Sequence, residues 1–398
     1  MRKRVGVLLG VLVAVVLVAA SAQAGHKTTK VTNVTFAGWS SGPDEDALDQ
    51  QMANAFNASH KGIHVTWTVI NGDYGAAMTA RFAAHNPPDV FYVDSGVIGS
   101  WEKQGVIQPL NSFVTKTHFN TKPFYPSLLG AFTKGKTIYG FPKDWSPLAT
   151  EVNNSLFAKA HVKVPRTWAQ LKSAATKLKS VMPGNAKPIC LSPDWARMGA
   201  FMYQNGGSIT KHLTSKANAA AVNFYVGLLK SGLAATPAQI GEGWCGQALG
   251  DGKAAIIFEG NWVLPYMKST FPNVHYGVRP MVKGKAQGNL AFTVSWSMAK
   301  DSPNKAAAWK VLSWLVGKQG EKLWMSKGLA LSPRSDVKTI GGRGPFLAAA
   351  PYAHGWGFGN PHFASAYTVM SNDLNAVIAG SKSVGQMLSD VAKALKGQ

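Results

Sequence analysis

Apolar and polar positions along this chain recur with two periods, and the order of those periods predicts the fold. Val31 to Phe36 reads as a strand that closes on Gly38-Trp39-Ser40-Ser41-Gly42. A helix follows, with Asp44, Glu45 and Asp46 in its first turn, where negative charge suits the macrodipole. Leu48, Met52 and Phe56 recur every four residues as its buried stripe. Ile63, Val65, Trp67 and Val69 then alternate with His64, Thr66 and Thr68, the period of a half-buried strand. A second helix, about 74–84, stops at Asn86-Pro87-Pro88, and the apolar strand 90–93 ends at Asp94. Strand, helix, strand, helix, strand is the order of an α/β lobe with a mostly parallel sheet. Ligands of such sheets gather beyond the carboxyl ends of the strands, which is where Trp39 and Asp94 lie.

The middle of the chain repeats the order. Thr167-x-x-Gln170 is a capping-box pattern opening a helix through Leu171 and Leu178. Ile189 to Leu191 reads as a strand, and a helix around Arg197 to Gln204 ends at the stop signal Asn205-Gly206-Gly207. Ala254 to Phe258 is a buried strand before Glu259-Gly260-Asn261-Trp262. Phe292 to Ala299 reads as a strand, and Ser302-Pro303 caps and starts a helix with Trp309, Leu312 and Val316 inward. The last segment, from about Ala364, is helical, with Val384, Leu388, Val391 and Leu395 on one face.

The first residues follow a different rule. Arg2, Lys3 and Arg4 precede an apolar run from Val5 to Ala20 and the small-x-small site Ala22-Gln23-Ala24, so residues 1–24 read as a secretory signal peptide. An uncleaved anchor is the competing reading, because the run is long. No cysteine follows the cleavage site to carry a lipid. The expected location is extracytoplasmic, in a periplasm or at a cell surface. A remainder of this size is more than one core serves, so two domains are expected. Cys190 and Cys245 form a candidate disulfide, against the alternative of two free thiols.

Charge changes the picture in one respect. Removing Arg2, Lys3 and Arg4 from 41 Lys and Arg leaves 38 against 19 Asp and Glu, a net charge of +19. The bases are scattered singly, so nucleic acid is not the expected partner. An anionic surface or ligand and an acidic medium remain as explanations, and the shortage of acids fits the second better than any local basic cluster fits the first. Tryptophan is informative too. Of 13, Trp39, Trp145, Trp244, Trp262, Trp296 and Trp356 have Gly, Ser, Asn or Asp within two positions, which suggests flat platforms for a ring-shaped polar ligand.

A family resemblance rests on segments spread over nearly the whole mature chain. They are Phe36-Ala-Gly-Trp39, Pro88-Asp-Val-Phe-Tyr-Val-Asp94, Gly105-Val-Ile-Gln-Pro-Leu110 and Gly135-Lys-Thr-Ile-Tyr-Gly-Phe-Pro-Lys-Asp144. Pro165-Arg-Thr-Trp168, Asn205-Gly-Gly207, Gly252-Lys-Ala-Ala-Ile-Ile-Phe-Glu-Gly-Asn-Trp262 and Ser302-Pro-Asn-Lys-Ala-Ala-Ala-Trp309 complete the set. In this order the chain resembles extracellular solute-binding proteins of family 1, the maltose-binding-protein-like receptors of ABC sugar importers. The resemblance implies an α/β, two-lobed, periplasmic-binding-protein-like (type II) fold, each lobe a sheet flanked by helices, with a cleft between them. Residues 25–145 plus 290–332 would form one lobe and 146–289 plus 333–398 the other. One departure stands out: Glu151 lies where the family often has an aromatic residue.

The expected function is capture of a mono- or oligosaccharide in the cleft and delivery to ABC importer permease subunits, by a monomer needing no cofactor. Asp94, Asp144 and Glu259 are the candidate hydroxyl acceptors, and Trp39, Trp145, Trp262, Trp296 and Trp356 the candidate stacking faces. Ser40 and Asn205 are further candidate ligand contacts. Arg334 is a candidate clamp for an anionic group, or simply the partner of Asp336. Two alternatives are carried: an anionic solute such as a sugar phosphate, and a secreted glycoside hydrolase using two carboxylates from Asp144, Glu151 and Glu259. The sequence holds no metal-ligand spacing.

Overall fold

The computed structural model describes residues 31–40, 43–338, 341–357 and 360–398. The signal-peptide reading of residues 1–24, and Ser41 and Gly42 after the first strand, lie outside them. The strands, in chain order, are β1 Thr32–Gly38, β2 Ile63–Val69, β3 Val90–Asp94, β4 Thr133–Lys134, β5 Thr137–Ile138, β6 Gly140–Pro147 and β7 Thr150–Asn153. They continue with β8 Lys187–Cys190, β9 Ala234–Ala235, β10 Ala254–Ile257, β11 Tyr276–Arg279, β12 Asn289–Met298 and β13 Ala353–Gly355.

Two sheets carry the two lobes. The first has the order β13-β12-β3-β1-β2, with β6 on the free edge of β12. Here β1 runs parallel to β2 and β3, as strand–helix–strand crossovers require, while β12 runs antiparallel to β3 and β6. The second sheet has the order β11-β7-β10-β8-β9. Each packs its own core: Phe36, Phe56, Trp67, Tyr92, Trp296 and Trp309 in the first lobe, and Trp195, Phe201, Tyr225 and Phe258 in the second. Val337 still packs in the first core, whereas from Trp356 onward the chain packs in the second.

The lobes meet where β6 becomes β7 and where β12 begins. Asn289, fully buried at the start of β12, clips the first crossing segment: the Leu148 amide donates to its Oδ1 at 3.1 Å, and its Nδ2 donates to the Leu148 carbonyl at 2.7 Å. Around this point Leu128, Trp145, Ala149, Ala291, Leu331 and Phe346 form a small apolar cluster. In the second lobe Cys190, at the end of β8, is disulfide-bonded to Cys245, the first residue of the helix Cys245–Gly250.

Several elements differ from their sequence reading. The terminal helical segment is two helices, Phe363–Ala379 and Val384–Ala394, broken where Gly380 takes the left-handed conformation that only glycine adopts without strain. Thr167 caps its helix, but Gln170 accepts from the Arg166 amide, one residue short of the box. The full capping box lies at Ser383 and Gln386. Ser302 does not cap a helix directly: its hydroxyl donates to Asp89 and accepts from the Asn304 amide, and the helix starts at Lys305. Among the described residues no helix is long and apolar enough to cross a membrane.

Candidate functional site

A cavity of about 550 Å³ lies between the lobes. The first lobe contributes Trp39 just after β1, Glu45 in the first turn of the helix Pro43–Ser59, and Lys143 and Asp144 on β6. The second contributes Trp244, and Trp262 and Tyr266 from the start of the helix Val263–Thr270. Ser146 and Phe292, beside the crossing, line the floor.

Two glycines let the indoles sit there. A Cβ on Gly38 would fall 2.3 Å from a ring carbon of Tyr92, the ring against which Trp39 packs at 5.0 Å. A Cβ on Gly260 would fall 2.2 Å from the Trp262 ring, so that indole folds back over its own loop only because position 260 carries no side chain. Trp262 is fixed further by its Nε1, which donates to Glu259 Oε2 at 3.0 Å, and by edge contact with Phe292 at 5.8 Å. The aromatic run continues along the cleft from Phe292 to Trp356 at 5.9 Å and to the exposed Tyr367 at 5.7 Å.

Charge on the walls is paired and acid-rich. The Lys143 ammonium lies 2.6 Å from Asp144 Oδ2 and 3.2 Å from Glu45 Oε1, above the faces of Tyr92 and Trp324. Burial opposes its charge, but Asp144, Glu45 and Asp49 outweigh burial and hold it protonated above the usual lysine range. Trp324 Nε1 also donates to Asp144 Oδ2 at 3.2 Å. In the second lobe Arg197 bridges Glu259 at 2.6 Å and Asp194 at 3.1 Å and lies 5.6 Å from the Trp262 ring. Its Nε is buried without a hydrogen-bond partner among the described residues. Burial raises the Glu259 carboxyl above the usual range, with Arg197 acting against the rise.

The sequence candidates divide into two groups. Trp39, Asp144 and Trp262 line the cavity, and Glu259 stands directly behind Trp262. Trp356 is buried further along the aromatic run, its carbonyl accepting from the Ser95 hydroxyl. Asp94, at the end of β3, accepts from the Gly96 amide at 2.7 Å; burial pushes its carboxyl up to about 6, against that hydrogen bond. The hydroxyl of Ser40 donates to Asp46 on the surface.

The other candidates are held elsewhere. Trp145 and Trp296 are strand residues rather than loop residues. The polar neighbours of Trp296, Ser295 and Ser297, point to the opposite face of β12 and bond to each other, while the indole enters the first-lobe core. Trp145 packs in the crossing cluster and donates to the Ser332 carbonyl. Asn205 ends its helix and donates to the Ala217 carbonyl. Arg334 pairs with Asp336 through Nε and Nη2, donates to the Val316 carbonyl and covers Phe124. Glu151, on β7, is sealed from the cavity: it accepts from the Glu259 amide, and burial holds its carboxyl well above the usual range.

Sequence reasoning did not single out Glu45, Lys143, Ser146, Tyr266 or Phe292 for the site. Glu45 carried a helix-dipole explanation, and nothing local marks the rest; Trp244 was visible only as an indole among small residues. Among the described residues no group of three or more His, Cys, Asp or Glu is placed to hold a metal ion.

Residues 39–322 match the family described as bacterial extracellular solute-binding protein. A binding protein of Brucella abortus is 27% identical over 301 residues, 70% of this chain and 69% of its own. Among solved structures, an ABC substrate-binding protein of Listeria monocytogenes in complex with cycloalternan superposes with a TM-score of 0.83 at 19% identity, over 92% of this chain and 99% of that one. The GacH receptor of Streptomyces glaucescens, solved unliganded and with acarbose, gives 0.80 at 20% identity, over 92% and 98%. UgpB of Mycobacterium tuberculosis in complex with glycerophosphocholine gives 0.80 at 16% identity, over 91% and 97%.

Proposed function

The chain belongs to the bacterial extracellular solute-binding protein family, and from that premise we propose that it is an ABC importer receptor for an uncharged carbohydrate. The observation that carries the reading is the cavity itself. Indoles from both lobes, Trp39 on one side and Trp244 and Trp262 on the other, surround one space together with the Glu45 and Asp144 carboxylates. A saccharide has apolar C–H faces and a rim of hydroxyls; flat aromatic walls match the first and paired acceptors the second. The cycloalternan and acarbose held by the Listeria and Streptomyces proteins support this direction.

Ligand bound to one lobe would be covered by the other as the crossing segments at Leu148 and Asn289 flex, and the closed form would be the one a permease distinguishes. An anionic solute is less well matched. Lys143 is the one cation among the described residues that line the cavity, and two carboxylates already engage it. Calorimetric titration with neutral mono- and oligosaccharides and with a sugar phosphate, at low and high salt, tests the reading. A neutral saccharide is expected to bind with little salt dependence. Binding of the sugar phosphate alone, weakening steeply with salt, would transfer the site to the anionic reading.

A further inference from the structure

The +19 charge of the mature sequence is not used by the interlobe cavity, whose walls are acid-rich. It gathers elsewhere. No Asp or Glu occurs between Glu151 and Asp194, nor between Glu259 and Asp301. The fold brings parts of these two stretches together on the second lobe: the Lys283 amide donates to the Arg166 carbonyl at 3.0 Å and the Trp168 amide to the Lys283 carbonyl at 3.1 Å. Between residues 161–177 and 279–287 lies a surface groove of about 1030 Å³. Its cations are Lys163, Arg166, Lys177, Arg279 and Lys283, all exposed, and no acidic residue lines it. Among the described residues none of the five is in an ion pair. Bases scattered singly in sequence thus form the local cluster that the sequence itself does not display.

We infer that this groove is a second binding site, separate from the solute cavity, for a linear phosphate-bearing polyanion. Unpaired like charges held side by side repel one another, and an anionic chain laid along them removes that repulsion while releasing its own counterions. The form favours a chain over the alternatives. A concave groove receives a strand more readily than a flat bilayer surface, and several spaced cations match repeated charges rather than one ion. No Phe, Tyr or Trp lines the groove, whose one ring side chain besides proline is the imidazole of His161, so it lacks the broad stacking platforms of single-strand nucleic-acid sites.

The test compares the full chain with two quadruple variants of equal net charge. One replaces Lys163, Arg166, Arg279 and Lys283 with Ala; the other replaces Lys116, Lys122, Lys310 and Lys322, exposed on the first lobe, with Ala. Binding of end-labelled inorganic polyphosphate is followed by fluorescence anisotropy across a salt series. The groove variant is expected to bind at least tenfold more weakly, with a log–log salt slope smaller by about 3, at roughly 0.7 per cation removed. The first-lobe variant is expected to bind as the native chain does, and both to keep the native melting temperature and solute titration. Equal weakening in both variants would overturn the inference, leaving net charge alone. So would competition by inorganic phosphate at equal phosphate concentration, tighter binding of a single-stranded oligonucleotide, or groove-dependent binding to phosphatidylglycerol vesicles without binding to polyphosphate.

Discussion

At the scale of single residues, the proposed capture of a saccharide rests most on Trp262, which lines the cavity. Its indole is locked by Gly260, Glu259 and Phe292, so it offers a face at little further cost in conformational entropy. Trp262→Ala should weaken saccharide binding by about 10- to 100-fold, roughly 1.4–2.8 kcal/mol, in calorimetric titration, while Trp262→Phe should lose less. A left-handed residue offers a contrasting test. His118 closes the helix Asn111–Thr117 at φ 50° on the surface. His118→Gly should therefore stabilise the chain, by about 0.5–1 kcal/mol in urea denaturation. Trp39, Asp144 and Trp262 were legible because each follows a strand or a turn signal that puts it at a cleft. Trp145 and Trp296 were misleading because small polar neighbours mark a loop or the far face of a strand equally well.

Among elements, the crossing region and the disulfide set the mechanical character of the fold. Asn289→Ala would strand the amide and carbonyl of Leu148 in a dry setting. Each unsatisfied group costs about 1–3 kcal/mol, so a drop of at least 1 kcal/mol in unfolding free energy is expected from denaturant titration. Leu148 contributes only its backbone amide and carbonyl, so the clip depends on the asparagine, whose side chain offers both an acceptor and a donor. Reduction of Cys190–Cys245, 55 residues apart, should cost about 2–4 kcal/mol and lower the denaturant midpoint, mostly by loosening the unfolded chain. Of the parallel strands of the first lobe, β2 was readable from its alternation and β3 from its apolar run between Pro88 and Asp94. The strand β6 was not: nearly every residue from Gly140 to Pro147 is buried, so neither face shows a polar alternation. The break at Gly380 went unread because the apolar stripe resumes at Val384.

For the whole molecule, several of the few acids are buried. Burial raises the carboxyls of Asp49, Asp94, Glu151, Glu259 and Glu321, Asp94 to about 6 from an ordinary 3.8. A carboxyl raised in the folded state keeps its proton there after the unfolded chain has released it. Stability is then lost as pH rises from about 4 through 6 and beyond. Asp336 and Asp390, held low by hydrogen bonds from Arg334 and Lys382, act in the opposite sense below that window, and His354, whose imidazole burial lowers, opposes the trend within it as one group against five. Scanning calorimetry should therefore find a higher melting temperature at pH 5 than at pH 7.5, the behaviour of a chain suited to an acidic medium; a higher value at pH 7.5 would contradict it. Convergence across the cleft was the part of the site that sequence could not supply, since Glu45, Lys143 and Tyr266 meet only through the arrangement of the lobes. The most direct measurement is a crystal structure with the saccharide that titrates. A sugar ring is expected between Trp39 of one lobe and Trp262 of the other, with hydroxyls on Asp144 or Glu45. A ligand bound outside this cavity, or within it but clear of every indole, would overturn the proposed function.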